Sequence, residues 1–173
     1  MKLIAAATAF LLLATPAMAQ TALKLALAPI GFLVGNWDSG AGKVADTGGT
    51  SKGGSVFTME SDGAAILRRD HTELFDKAGK PAGGFHQTML IYLDGGGVHA
   101  DYVDGEGHAI HYTSAAVTLG KSVTFTSAAG QGPVFRLTYE LQSPDTLAVT
   151  FGMTPPGATE FHPIASGTLK KAR

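Results

Sequence analysis

The side chains able to do chemistry are few and scattered along the chain. The six histidines are His71, His86, His99, His108, His111 and His162. A metal centre needs three or four ligands converging on one point. His108 and His111 lie three apart, so on one strand they face opposite sides and cannot share an ion. His99 with Asp101, and His71 with Glu73, lie two apart and share a face. Each pair still needs a third ligand from a neighbouring strand, and half-exposed surface histidines fit the same pattern. No metal ligand is assigned.

The densest charged run is Arg68-Arg69-Asp70-His71. On a strand, Arg68 and Asp70 face one way while Arg69 and His71 face the other. Turned inward, such a pair can meet the carboxylate of a ligand, because a guanidinium binds planar anions bidentately. The same polar pocket could serve an enzyme, although nothing names its substrate. Turned outward, the run is a solvated face with an ion pair worth little. The cost of burying charge without a partner favours the outward arrangement.

Other signatures fail on inspection. There is no Gly-x-Ser-x-Gly elbow, no His-Glu-x-x-His and no phosphate loop. Gly120-Lys121-Ser122 resembles the end of a phosphate loop, but Ala115 stands where the upstream glycine belongs. Gly105-Glu106-Gly107 begins like a dinucleotide fingerprint, but Ile110 takes the place of its last glycine. Both lie between strands and not at helix N-termini, so they read as turns. Carboxylate pairs such as Asp101 with Asp104 have no fixed separation, and no catalytic residue is assigned. The chain has no cysteine, which excludes disulfides, thiolate nucleophiles and Cys-type zinc sites. A formal charge of −1 argues against a nucleic-acid partner.

The elements that must carry these residues are strands. The 173 residues include 23 glycines; 45% are hydrophobic and only 16% charged. That balance excludes disorder, and there is no Gly-X-Y period. Runs rich in Val, Ile, Thr, Phe and Tyr alternate with glycine punctuation. They predict strands near 35–44, 53–60, 64–75, 85–93, 98–104, 107–118, 121–128, 133–142, 145–152 and 159–170. Asp62-Gly63, Asp94-Gly95 and Asp104-Gly105 offer the positive φ that tight hairpins need. Asp46 to Lys52 and Asp76 to Gly84 read as longer loops.

Phe135, Leu137, Tyr139 and Leu141 alternate with Arg136, Thr138 and Glu140, so one face is apolar and the other polar. Leu23 to Val34 is apolar and broken by Pro29, which predicts one or two short helical turns acting as a lid. Short strands without βαβ spacing make an antiparallel meander, and a long meander closes to remove its edges. The expected fold is therefore all-β, an antiparallel up-and-down barrel of about eight to ten strands, with a two-sheet sandwich as the competing arrangement.

Residues 1–19 read as a signal peptide: Lys2, the apolar Leu3 to Ala14, then Ala17-Met18-Ala19 as the cleavage pattern. The expectation is a protein exported to the periplasm or secreted. Residues 20–173 would form one barrel domain with no transmembrane segment left after cleavage.

Phe32-Leu33-Val34-Gly35-Asn36-Trp37, an apolar turn followed by Gly-x-Trp at the first strand, resembles the opening of calycin (lipocalin-like) barrels. The resemblance implies that Trp37 closes one end of the barrel, packed by an arginine from a late strand, for which Arg136 is the candidate. Nothing after Phe161 looks helical, and true lipocalins usually carry a C-terminal helix. The chain is more similar to small secreted bacterial barrels of unassigned function and to nitrobindin-like haem barrels. A Met-containing strand, Leu147 to Met153, then His162 and the basic ending Thr168-Leu169-Lys170-Lys171 resemble the latter. That likeness implies haem or nitric-oxide binding with His162 as ligand. The calycin likeness, with aromatic and methionine side chains on nearly every strand, implies a lumen for a small apolar or amphipathic molecule. Its expected lining is Trp37, Met89, Tyr102, Tyr112, Phe135, Arg136 and Tyr139.

Overall fold

The computed structural model describes residues 22–172 except Ala41 and Asp46. The expected signal peptide, residues 1–19, lies outside the described residues.

Eleven strands join one antiparallel sheet among the described residues. In chain order they are β1 (Gly35–Ser39), β2 (Gly42–Val44), β3 (Gly49–Glu60), β4 (Ala65–Phe75), β5 (Pro81–Asp94) and β6 (Gly97–Asp104). They continue as β7 (Ala109–Thr118), β8 (Ser122–Ser127), β9 (Val134–Ser143), β10 (Thr146–Thr154) and β11 (His162–Lys171). From β3 to β11 each strand pairs with the next. The gap between β3 and β11 is filled by two short strands in line. β1 pairs with Gly54–Phe57 and Leu169–Lys171, and β2 with Gly49–Ser51 and Ala165–Ser166. The sheet therefore closes as a barrel of ten staves, one of them split, and the sandwich is excluded.

The strand expected over residues 35–44 is thus two strands sharing one stave. β3 and β5 also begin four residues earlier than their sequence pattern suggests, at Gly49 and Pro81 instead of 53 and 85. The glycines there are not loop residues. A Cβ on Gly53 would lie 1.9 Å from the carbonyl oxygen of His71, and one on Gly84 would lie 2.5 Å from that of Thr72. Strands this close admit only glycine, which removes the hydrophobic alternation that marks a strand. At the β6–β7 hairpin it is Gly107, φ +91°, and not Gly105, that takes the positive φ.

One end of the barrel is plugged. The 3-10 turn Ala28–Leu33 follows the broken apolar segment and leaves Leu27, Ile30 and Leu33 with no exposure. Pro29, at the start of the turn, has no N–H to leave unpaired, and its carbonyl accepts from the Gly120 N–H at 2.9 Å. Trp37 is buried on top of the turn and donates its indole N–H to Leu33 O at 2.7 Å. Above it the inward side chains of Phe57, Ile66, Ile91, Val123, Phe125 and Leu147 fill this half of the lumen. The lid expected from Leu23 to Val34 is this plug.

The partner of Trp37 differs from the expectation. Lys171 holds its Nζ 5.3 Å from the indole ring, whereas the guanidinium of Arg136 lies 3.6 Å from the ring centre of Phe161. Register explains both. Trp37 pairs directly with Lys171, and Arg136 follows inward Phe135 and precedes inward Leu137, so it stands on the outer face.

Candidate functional site

The other half of the lumen is built differently. Parity along β4 places Ile66, Arg68, Asp70 and Thr72 on the inner face, while Arg69 and His71 are exposed outside. Pairing with the neighbours then stacks two layers. Phe57, Arg68, Met89 and Tyr102 lie side by side in register, and Ser55, Asp70, Gln87 and Asp104 form the next layer outward. The expectation that this charged run is a solvated face is overturned for Arg68 and Asp70. The Arg68 residue is 6% exposed, and its side chain and that of Asp70 are each 8% exposed. Burial is tolerated because the charge has a partner at once.

The Arg68 Nε donates to Asp70 Oδ2 at 2.7 Å, and Nη2 donates to the same oxygen. Nη2 also donates to Gln87 Oε1 at 2.8 Å, and Nη1 faces the Met89 sulfur at 3.7 Å. Gln87 is itself fixed, since its Nε2 donates to Thr72 Oγ1 at 2.9 Å. The guanidinium carbon lies 5.8 Å from the ring centre of Tyr139, whose edge meets Phe57 at a centroid distance of 5.7 Å.

Electrostatics follow from this packing. Burial by itself would lower the Arg68 pKa, but the charge and hydrogen bond of Asp70 outweigh it and hold the guanidinium protonated. Burial raises the phenols of Tyr139, Tyr112 and Tyr102, and the nearby Arg68 charge offsets only part of that rise. All three hydroxyls therefore stay protonated and neutral.

Two buried polar atoms of this layer have no hydrogen-bond partner among the described residues: Asp70 Oδ1 and the Tyr139 hydroxyl. A third such atom, Thr154 Oγ1, lies at the end of β10. Orphaned buried groups are uncommon and each calls for an explanation.

Above the layer, the inner faces of Tyr102, Phe135, Phe151, Gln87 and Thr72 are half-exposed, where the inward residues below are buried. The inside of the barrel is a packed floor, and toward the mouth its inward side chains are only partly covered; this end is the cup. Phe135 and Phe151 form one wall, stacked at 5.7 Å with 9° between their planes. At the lip, a groove of about 500 Å³ is lined by Val44, Thr47, Leu74, Phe75, Lys77 and Ala82.

Of the residues expected to line a lumen, Tyr102 and Phe135 stand on the cup wall. Tyr112 and Tyr139 are buried in the aromatic floor, and Met89 lies under the guanidinium. Trp37 belongs to the plugged end, and Arg136 is outside. His162 opens β11 at the lip, exposed and opposite Met153. Sequence reasoning missed Ser55, Thr72 and Gln87. Extending the inward parity of Met89 and Ile91 by one step would have found Gln87.

Asp104, Glu106 and His108 bring three possible metal-ligand atoms within 4.8 Å of one another on the β6–β7 hairpin. Asp104 is already committed. Its Oδ1 accepts from the backbone N–H groups of Glu106 and His108, both at 3.0 Å. Its Oδ2 accepts from Tyr102 at 2.9 Å and meets His108 Nδ1 at 3.0 Å. This is a hairpin cap. On the outer wall, His111 and Tyr92 both meet Asp101, at 2.7 and 3.1 Å, so the pairing of His99 with Asp101 is not the one formed.

No protein-family model matches the chain, and neither does any curated protein. Among solved structures, Rv2717c from M. tuberculosis matches 87% of this chain and 99% of its own, at 18% identity and a TM-score of 0.58. What that likeness shows is the fold. A redesigned β-barrel, mFAP1, bound to DFHBI matches 83% of this chain and 99% of its own, at 14% identity and a TM-score of 0.42. A protein of unknown function of the DUF3598 family from Nostoc punctiforme matches 87% of this chain and all of its own, at 8% identity and a TM-score of 0.32.

Proposed function

We propose that this is a calycin-like binding barrel, exported by its N-terminal signal, that takes a small amphipathic molecule into the cup. The observation that carries this reading is the buried Arg68–Asp70 pair with unpaired polar atoms beside it. A buried ion pair contributes little to stability compared with apolar residues of the same volume. Its presence on a floor of aromatic side chains, under a half-exposed aromatic wall, fits a site that anchors a polar group and covers an apolar body. The plugged end leaves the opposite mouth as the entrance. The redesigned barrel bound to DFHBI is too distant to add weight.

The test is uptake of the dye ANS and of decanamide by the purified protein, followed by fluorescence and native mass spectrometry. One molecule per chain is expected. Ser55→Phe, which places a ring in the layer beside Asp70, is expected to abolish uptake while the thermal transition persists. Uptake unchanged in that variant would locate binding elsewhere. A haem titration belongs in the same experiment, because His162 stands at the lip of this mouth. A Soret shift abolished by His162→Ala would assign the mouth to haem instead.

A further inference from the structure

The hydrogen-bond capacity left in the Arg68 layer specifies a head group. Arginine has five N–H donors in a fixed fork. Three are committed, two to Asp70 Oδ2 and one to Gln87 Oε1. Gln87 cannot turn its amide to offer a donor, because Arg68 Nη2 only donates and needs Oε1 as its acceptor. Among the described residues the two on Nη1 reach only the Met89 thioether, a weak acceptor. Asp70 Oδ2 is filled and Oδ1 is bare. The hydroxyl of Tyr139, whose ring faces the same guanidinium, can donate or accept and does neither among the described residues. The layer therefore presents one naked carboxylate oxygen, weakly engaged guanidinium donors and one free hydroxyl. The Arg68–Asp70 pair is neutral overall, and Asp104, in register beside Gln87, adds a negative charge to the layer.

We infer that the cup selects an uncharged head group carrying an N–H donor beside a carbonyl acceptor, such as a primary amide or a urea, over a carboxylate. An amide gives its N–H to Asp70 Oδ1, and its carbonyl, with two lone pairs, receives from Arg68 Nη1 and Tyr139, so both orphaned atoms of the layer are paired. A carboxylate offers acceptors only. It leaves Asp70 Oδ1 unpaired and sets a second negative charge against a carboxylate that is itself buried. A site built to pair polar groups rejects a ligand that cannot pair them, and that rejection gives it selectivity. This reading rests on the proposed lumen binding.

Two ligands of one chain length, decanamide and decanoate, separate the two claims by calorimetry. The wild-type protein is expected to bind the amide at least tenfold more tightly. Asp70→Asn removes the opposing charge and releases Arg68, so its expected preference is reversed, with decanoate gaining at least tenfold over its wild-type affinity. Tyr139→Phe, which deletes only a hydroxyl able to donate to either ligand, should weaken the amide severalfold, and unchanged amide binding would remove the head group from this layer should Asp70→Asn fold poorly. Equal binding of the two ligands overturns head-group selection while lumen binding stands. Tighter binding of decanoate to the wild type overturns it outright. Failure of both ligands, together with failure of ANS uptake, overturns lumen binding itself and this inference with it.

Discussion

Arg68 and Asp70 carry the account at the scale of single residues. Their alternation with Arg69 and His71 is plain in the sequence, and the faces were legible as two pairs. Which pair points inward was not. The inward pair is set by Ile66, two positions earlier and fully buried, and by a register across β3 and β5 that a single strand cannot reveal. The general cost of buried charge argued for the wrong face, because the compensating oxygens of Asp70 and Gln87 come partly from another strand. Energetics separate a structural from a functional pair here. Arg68→Ala leaves Asp70 buried and unpaired, which should cost about 3–5 kcal/mol in urea denaturation. The double variant Arg68→Met with Asp70→Leu should fold with near wild-type stability and bind no decanamide. A double variant as unstable as the single one would mark the pair as structural.

Among the elements, the β6–β7 hairpin links the cup to its rim. Asp104 caps the turn through both carboxylate oxygens and holds Tyr102 on the wall. Burial alone would raise its pKa, but the hydrogen bonds from the His108 backbone and ring, from Tyr102 and from the Glu106 N–H outweigh it, so the carboxyl ionises below its ordinary value. A lowered folded-state pKa means the stabilisation is complete above the unfolded value of about 3.9 and is lost as pH falls through the folded one. Thermal melts between pH 5 and 2.5 should therefore show a steeper decline for the wild type than for Asp104→Asn. Parallel curves would remove Asp104 from the acid response. Asp104-Gly105 was legible as a turn and the predicted strand 98–104 put Tyr102 and Asp104 on one face, but their hydrogen bond depends on side-chain rotamers that spacing does not fix. The early starts of β3 and β5 were hidden for a related reason. Gly49, Gly53 and Gly84 look like loop composition and are in fact the only residues that fit against the neighbouring backbone.

Over the whole molecule, the sequence already implied a closed antiparallel barrel with a plugged end. Ten strand segments, one Gly-x-Trp start and one Pro-broken apolar lead-in leave few alternatives. What it could not imply is the division of the lumen into a packed floor and a partly covered cup, which depends on side chains from many strands meeting across the interior. That division predicts an alkaline response. All four tyrosines have raised pKa values, Tyr102, Tyr112 and Tyr139 chiefly through burial and Tyr92 through its hydrogen bond to Asp101. A phenol whose folded pKa is raised contributes stability that is complete below the unfolded value of about 10 and is lost as pH rises above it. Tyrosinate absorbance from Tyr102, Tyr112 and Tyr139 should therefore stay low past pH 10 and appear together with loss of the folded circular dichroism spectrum. Gradual titration of a folded barrel would place the phenols in solvent.

The central claim is that the polar layer of the cup is where a ligand's head group sits. Nuclear magnetic resonance of the Arg68 side chain during titration with decanamide tests it most directly. The Arg68 Nε–H resonance is expected to shift saturably, with the Tyr139 ring signals moving at the same ligand concentrations. Shifts confined to the lip groove around Val44 and Leu74, with the Arg68 signal unmoved, would contradict the account.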